Sequence, residues 1–395
     1  MMIQAVLGNP HHPEYGVATI PFPIPRDQYA HCMELLEALE IGDAVKADCK
    51  VEKIDSFYTV LKRTEMLTVN VEELNYLAKR LDSFDDGEAT QFQAMAHKLE
   101  LFELKDFINL TFCCQQATVI SDFSDLDAIG RDHYMNLHGG SASVDELNAL
   151  DGEETARQLI ESGSGTITPY GVVYDNGMKL EQVYDGRFFP CYYYEPNAIT
   201  VAVTSKTEPE DTEHITWLFL PMVQEEIDRA LLRGGITDPA DVRLRLEDSQ
   251  LPNEVDVLLD MEYETLSDLN ELAEATDGLP KADMEKLGAV VMLAKPKSAA
   301  QIKNLAESLD LFDLAPGAHT PQEYGKYMIQ QSGRFEYDEN LDAFYDYERY
   351  GTERMNAEDG MFTDRGYIAY KGYISMEEVM NGGQSNHMVL GGLSR

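Results

Sequence analysis

The chain has 395 residues, 44% of them hydrophobic, and its 71 acidic and 31 basic side chains leave a formal net charge of −40. That is enough apolar material for two or three cores and excludes a disordered acidic tail. A surface this negative repels nucleic acid and anionic membrane and attracts basic surfaces, so neither a direct nucleic-acid partner nor a membrane partner is expected. Solubility or adaptation to high salt is the plainest reading of acidity. Here 33 acidic and 14 basic residues lie up to position 200 and 38 and 17 beyond it, so each half carries its own excess.

In chain order, "MIQAVL" and "GVATIPF" read as strands, and residues 26–40 as a helix with apolar residues every three to four positions. The start has no basic stretch followed by an apolar run, and no segment approaches 18 uninterrupted apolar residues. "AVKADCKVEKI" alternates and reads as a strand. Helices follow at "VEELNYLAKRL", "GEATQFQAMAHKLEL", "SDLDAIGRDHYMNL" and "VDELNALDGEETARQLIES", with a short strand at "TVIS". "TITPYGVVYDNGMKLEQV" reads as a hairpin turning at Asn176-Gly177. Five cysteines, Cys32, Cys49, Cys113, Cys114 and Cys191, all fall in the first half, which fits mostly buried, reduced thiols in a cytoplasmic protein.

The second half reads alike, because the chain repeats itself. "VEELNYLA" (71–78) matches "LSDLNELA" (266–273) at an offset of 195, and Gly130, Thr168 and Gly171 fall on Gly325, Thr363 and Gly366 at the same offset. Thr19 and Phe22 fall on Thr216 and Phe219 at 197. Matches in one order at nearly one spacing predict two tandem copies of a module, 1–196 and 197–395. Each is expected to be α+β: a sheet with a helix, a helical middle, and a second helix-plus-sheet part.

Catalytic and ligand-binding motifs are sparse. The chain has no GxxxxGK[ST], no GxSxG, no HExxH and no calcium loop, and the Cys113–Cys114 pair lacks metal-binding spacing. No cofactor and no metal site is read from it. His133 and His138 are five apart and do not share a helical face as i, i+4 would. A hydrolase working through carboxylates is the less favoured alternative, since it needs one acid in an apolar pocket.

The acids themselves are the candidates. In the first copy these are Asp82, Asp85, Asp86, Glu88, Asp122, Asp125 and Asp127. In the second they are Glu262, Glu264, Asp268, Glu271, Glu274, Asp342, Asp346 and Glu348. The tyrosines of "CYYYEP" (191–196) and "FYDYERY" (344–350) stand among acids rather than lysines and arginines, which argues against stacking on single strands. On a helix, Phe344, Tyr347 and Gly351 would share a packing face.

"FYDYERYGTERM" followed by "DGMFTDRGYIAY", with "LSDLNELAEAT" before them, resembles the signature of the ArdA family of antirestriction proteins over about 260–375. In the first copy Ala156 replaces Gly351 and the tyrosines are absent. The resemblance implies an elongated, non-enzymatic DNA mimic encoded by mobile elements, which occupies the DNA-binding groove of type I restriction–modification enzymes. Such proteins usually pair as homodimers, and this chain looks like two members fused, either a homodimer in its own right or an intrachain pseudo-dimer. Charge density agrees: duplex DNA carries one negative charge per about 1.7 Å, so a net charge of −40 matches about 70 Å of duplex. An acidic scaffold for another basic defence or nucleoid protein is the alternative.

Overall fold

The computed structural model describes residues 3–210 and 212–383. They fall into two units. One comprises residues up to 195 together with 209–217 and 223–241; the other comprises 196–208, 218–222 and the chain from 242 onward. Both are α+β, with small antiparallel sheets and many helices.

In the first unit β1 (Ile3–Gly8), β2 (Val17–Phe22), β3 (Cys49–Asp55) and β4 (Thr68–Val69) form a sheet in the order β2-β1-β3-β4. Alternation in β1 sends Ile3, Ala5 and Leu7 into the core, and α1 (Tyr29–Glu37) contributes Cys32, Met33 and Leu36. The helical middle consists of α2 (Val71–Asp82), α3 (Asp86–Lys98) and α4 (Leu104–Leu110). The Asn70 side chain caps α2 and the Asp85–Glu88 capping box opens α3, satisfying N–H groups that the helices leave unpaired. Then come β5 (Thr118–Ile120), α5 (Leu126–Leu137), α6 (Val144–Ala149), α7 (Gly152–Glu161), β6 (Thr166–Thr168) and β7 (Gly171–Tyr174), with β7 central in the sheet β5-β7-β6.

The strands β8 (Ile199–Ser205), β9 (Thr216–Leu220) and β10 (Val242–Ser249) form the sheet β10-β8-β9. Helix α8 (Gln224–Arg233) belongs to the first unit, where its cations are consumed. Arg229 pairs with Glu72 at 2.6 Å, and the buried Arg233 donates to the carbonyls of Ala44, Arg187 and Gly186, to Asn70 and to the Tyr184 hydroxyl. In the second unit, α9 (Asn253–Asp256), α10 (Leu266–Thr276), α11 (Lys281–Ala294) and α12 (Ala299–Ala306) precede β11 (Phe312–Pro316). There follow α13 (Pro321–Gln330), α14 (Tyr347–Met355), β12 (Asp359–Thr363), β13 (Gly366–Tyr370) and α15 (Met376–Met380), with the sheet order β11-β13-β12.

The same local devices occur in both units. Asn75 of α2 accepts from the Ile24 N–H at 2.8 Å, and Asn270 of α10 accepts from the Met222 N–H at 2.8 Å. Thr168 donates to the Gly171 carbonyl and accepts from the Tyr170 N–H; Thr363 does the same with Gly366 and Arg365. The glycines of these turns have φ of 132° and 129°, a region closed to other residues without strain.

Four expectations change. The helical run 144–162 breaks at Leu150, because Asp151 adopts extended backbone and caps α7. The strand read over 44–54 begins at Cys49; before it Asp48 and Asp43 accept loop N–H groups. Asn176 and Gly177 form a left-handed turn after β7, but the hairpin turns at Pro169-Tyr170 instead. Phe344 does not share a helical face with Tyr347 and Gly351: it ends a 3₁₀ turn (Glu339–Phe344), and α14 starts at Tyr347.

Candidate functional site

Exposed carboxylates fixed by backbone donors recur in each unit. Asp85, Asp125 and Asp151 in the first, and Asp338 and Asp346 in the second, stand at helix N-termini. They accept N–H groups from Glu88 at 2.8 Å, Ala128 at 3.0 Å, Glu154 at 3.0 Å, Asn340 at 2.9 Å and Arg349 at 3.1 Å. A helix N-terminus favours negative charge, which offsets part of the repulsion among so many acids. Asp122 accepts from the backbone and then the hydroxyl of Ser124, and these bonds hold its carboxyl below the usual range. These bonds give the carboxylates defined positions while leaving them in contact with solvent.

The remaining candidates separate by what they touch. Asp86, Glu262, Glu274 and Glu348 are exposed. Glu88 closes the capping box and accepts from Gln115 at 3.3 Å. Asp268 accepts from the Thr265 hydroxyl at the start of α10. Asp82 accepts from the Tyr194 hydroxyl at 2.8 Å. Asp127 pairs with Arg131 at 2.7 Å, which lowers its pKa, and Glu271 pairs with Lys303 at 2.8 Å. Glu264 is half-buried and accepts the Ala299 N–H at the start of α12; burial raises its pKa. Asp342 accepts from Tyr347, from Tyr337 at 2.8 Å and from Gln330 at 2.8 Å.

Further exposed acids stand beside those chosen from sequence: Asp145, Glu146, Asp151, Glu153 and Glu154 on α6 and α7, and Glu336, Asp338 and Glu339 before α14. The signal for them was the scarcity of cations. Residues 246–280 and 335–348 contain no lysine or arginine, and residues 106–156 contain one, Arg131. Cations do enter from elsewhere, as where Arg365 grips Glu254 through two hydrogen bonds.

Of the tyrosines of 191–196, Tyr192 packs against α2. Arg80 lies 4.4 Å from the centres of both the Phe112 and Tyr192 rings, and Tyr76 stacks on Phe189 at 4.5 Å. These rings strap the segment onto α2, with Arg80 held between two of them by cation–π attraction. Among the described residues no group of three His, Cys, Asp or Glu is arranged to hold a metal ion, and no helix is long and apolar enough to cross a membrane.

Residues 212–369, from just before β9 to within β13, match the family model for the antirestriction protein ArdA. This segment is similar to the ArdA family. No curated protein matches the chain. The matched segment contains α10, the α13–α14 pair and most of the β11-β13-β12 sheet, with the acids from Glu262 to Glu348 that the sequence points to.

Proposed function

We propose that this chain is a non-enzymatic antirestriction protein that acts as a DNA mimic on type I restriction–modification enzymes. The observation that carries the reading is the set of exposed, backbone-anchored carboxylates in tracts nearly free of lysine and arginine, within and beside a segment matching the ArdA model. A DNA-binding groove is built to neutralise phosphates. Carboxylates held at fixed positions engage the same cations and release counterions as phosphates do. No bond is made or broken, so no catalytic residue is required.

We read the chain as two ArdA-like modules, about 1–196 and 197–395, derived from a tandem duplication. Supporting this are the common element order, the paired asparagine bonds and the two matching hairpin turns. On this reading one polypeptide supplies, as an elongated pseudo-dimer, the length of acidic surface for which a single module would need a partner copy.

The test is competition for duplex DNA. A type I enzyme is titrated with the protein at several salt concentrations, reading DNA binding, cleavage and methylation. Displacement of duplex at low salt is expected, with both ligands losing affinity for the enzyme as salt rises. Absence of displacement at low salt overturns the reading and leaves the acidic-scaffold alternative. Small-angle scattering supplies an independent check, since a squat particle could not present the required length of charge.

A further inference from the structure

The connection from α13 to α14 combines two features that seldom occur together on a solvent-facing segment. Phe335 and Leu341 are about half exposed and Phe344 is 83% exposed. Among them stand Glu336, Asp338, Glu339 and Asp346, also exposed, with no lysine or arginine between 335 and 348. The segment is held in place: Asp342 gathers Tyr337, Tyr347 and Gln330, while the Tyr345 ring lies between those of Tyr337 and Tyr347, at 5.9 and 5.7 Å. The apolar side chains therefore project from an anchored backbone, one that does not leave them to fold back on the core. A soluble protein gains nothing by fixing a phenylalanine in water unless something covers it.

We propose that this connector is an apolar anchor of the partner-binding surface, docking a basic surface that has an apolar recess among its lysines and arginines. The inference rests on the DNA-mimic reading and deepens it. Charge decides the occupant. A second copy meeting this patch through a two-fold axis would bring its own Glu336, Asp338, Glu339 and Asp346 against the same four, and like charges brought together oppose association. A cationic groove complements the acids, and its recess removes Phe344 from water. DNA offers no apolar side chain at that position, so the anchor would let the protein outlast duplex as salt rises: counterion release fades with ionic strength, whereas apolar burial does not.

The experiment uses the full chain, with competition against duplex on the same type I enzyme over a salt series. Phe344→Ala removes an exposed side chain that touches no packed ring, and circular dichroism verifies that its fold is unchanged. It is expected to raise the half-inhibitory concentration about tenfold at every salt concentration, with the slope of the log–log salt plot unaltered. Asp346→Asn combined with Glu348→Gln is expected to do the reverse, flattening the slope. If the wild-type protein fails to displace duplex, the mimic reading falls and takes this inference with it. If the wild-type protein competes but Phe344→Ala matches it throughout, the inference alone is overturned. It is equally overturned if Phe344→Ala changes the oligomeric state measured by sedimentation, because the patch then covers a second copy.

Discussion

The helix pair α5–α7 of the first unit and the pair α13–α14 of the second solve one packing problem with the glycines in different places. In the second unit a Cβ on Gly325 would stand 2.0 Å from the Tyr347 carbonyl oxygen, and one on Gly351 would stand 1.8 Å from that of Pro321. In the first, Gly130 takes the part of Gly325, with the Gly152 carbonyl 1.9 Å from a Cβ, but Gly351 is replaced by the buried Ala156. The second glycine has moved four residues earlier, to Gly152, where a Cβ would lie 2.5 Å from the Asp127 carbonyl. Four residues are about one helical turn, so the bare backbone stays on the same face. What the fold requires is backbone-to-backbone approach on that face; the height of the second approach is free to slide by a turn.

The sharpest way to break this comparison is Gly351→Ala. The contacted atom is backbone, so the helices must separate, and a loss of about 3 kcal/mol is expected in chemical denaturation. Ala156→Gly in the first unit should cost only about 1 kcal/mol, the helix propensity of alanine. Equal effects in the two units would mean that α13 and α14 are not held by close contact.

A second difference lies at the end of each pair. Glu358 is almost fully buried between Lys371, at 2.6 Å, Arg354 and the Tyr324 hydroxyl, at 2.6 Å. At the matching position of the first unit stands Gly163, in a left-handed turn. Glu358→Gln leaves two partly buried cations short of a counter-charge and should lower stability by about 2 kcal/mol. Below that in size come the asparagine bonds. Asn75→Ala leaves the Ile24 N–H unpaired in a buried site and should cost about 1–2 kcal/mol. Asn270→Ala should cost less, because Asn270 is only partly buried and water can replace it. Thermal melts of the two variants check that order.

Much of this architecture was legible in the residues. Helices α2, α3 and α10 follow from apolar spacing and from caps such as Asn70 and Asp85, because those signals lie within a few residues of each other. What was not legible depended on partners far along the chain. Nothing near Glu271 announces Lys303, and nothing near Glu264 announces the N-terminus of α12. The break at Leu150 hides inside a pattern that suits one long helix, since Asp151 serves as well on a polar face as at a cap. Phe344 looked like a packing residue because hydrophobicity was read without knowing that α14 begins three residues later.

The smallest effect separates the two connectors by pH. In the second unit Asp342 joins the α13–α14 connector to both of its flanks, and the hydroxyls of Tyr347 and then Tyr337 hold its carboxyl below the usual range. A depressed folded-state pKa contributes stability that is fully present above the unfolded value of about 4 and is lost as pH falls through the folded value. The matching position in the first unit is Leu147, and the lowered acid nearby, Glu146, bonds only to Ser143 within its own helix. Acid should therefore release the whole segment 331–346 in the second unit but only fray the start of α6 in the first. Hydrogen exchange corrected for intrinsic rates, followed from pH 7 downward, reads both segments in one experiment. In Asp342→Asn, segment 331–346 should exchange faster already at pH 7 and respond less to acid. If that variant keeps the wild-type pH response, the three-way grip on Asp342 is not what holds the connector in place.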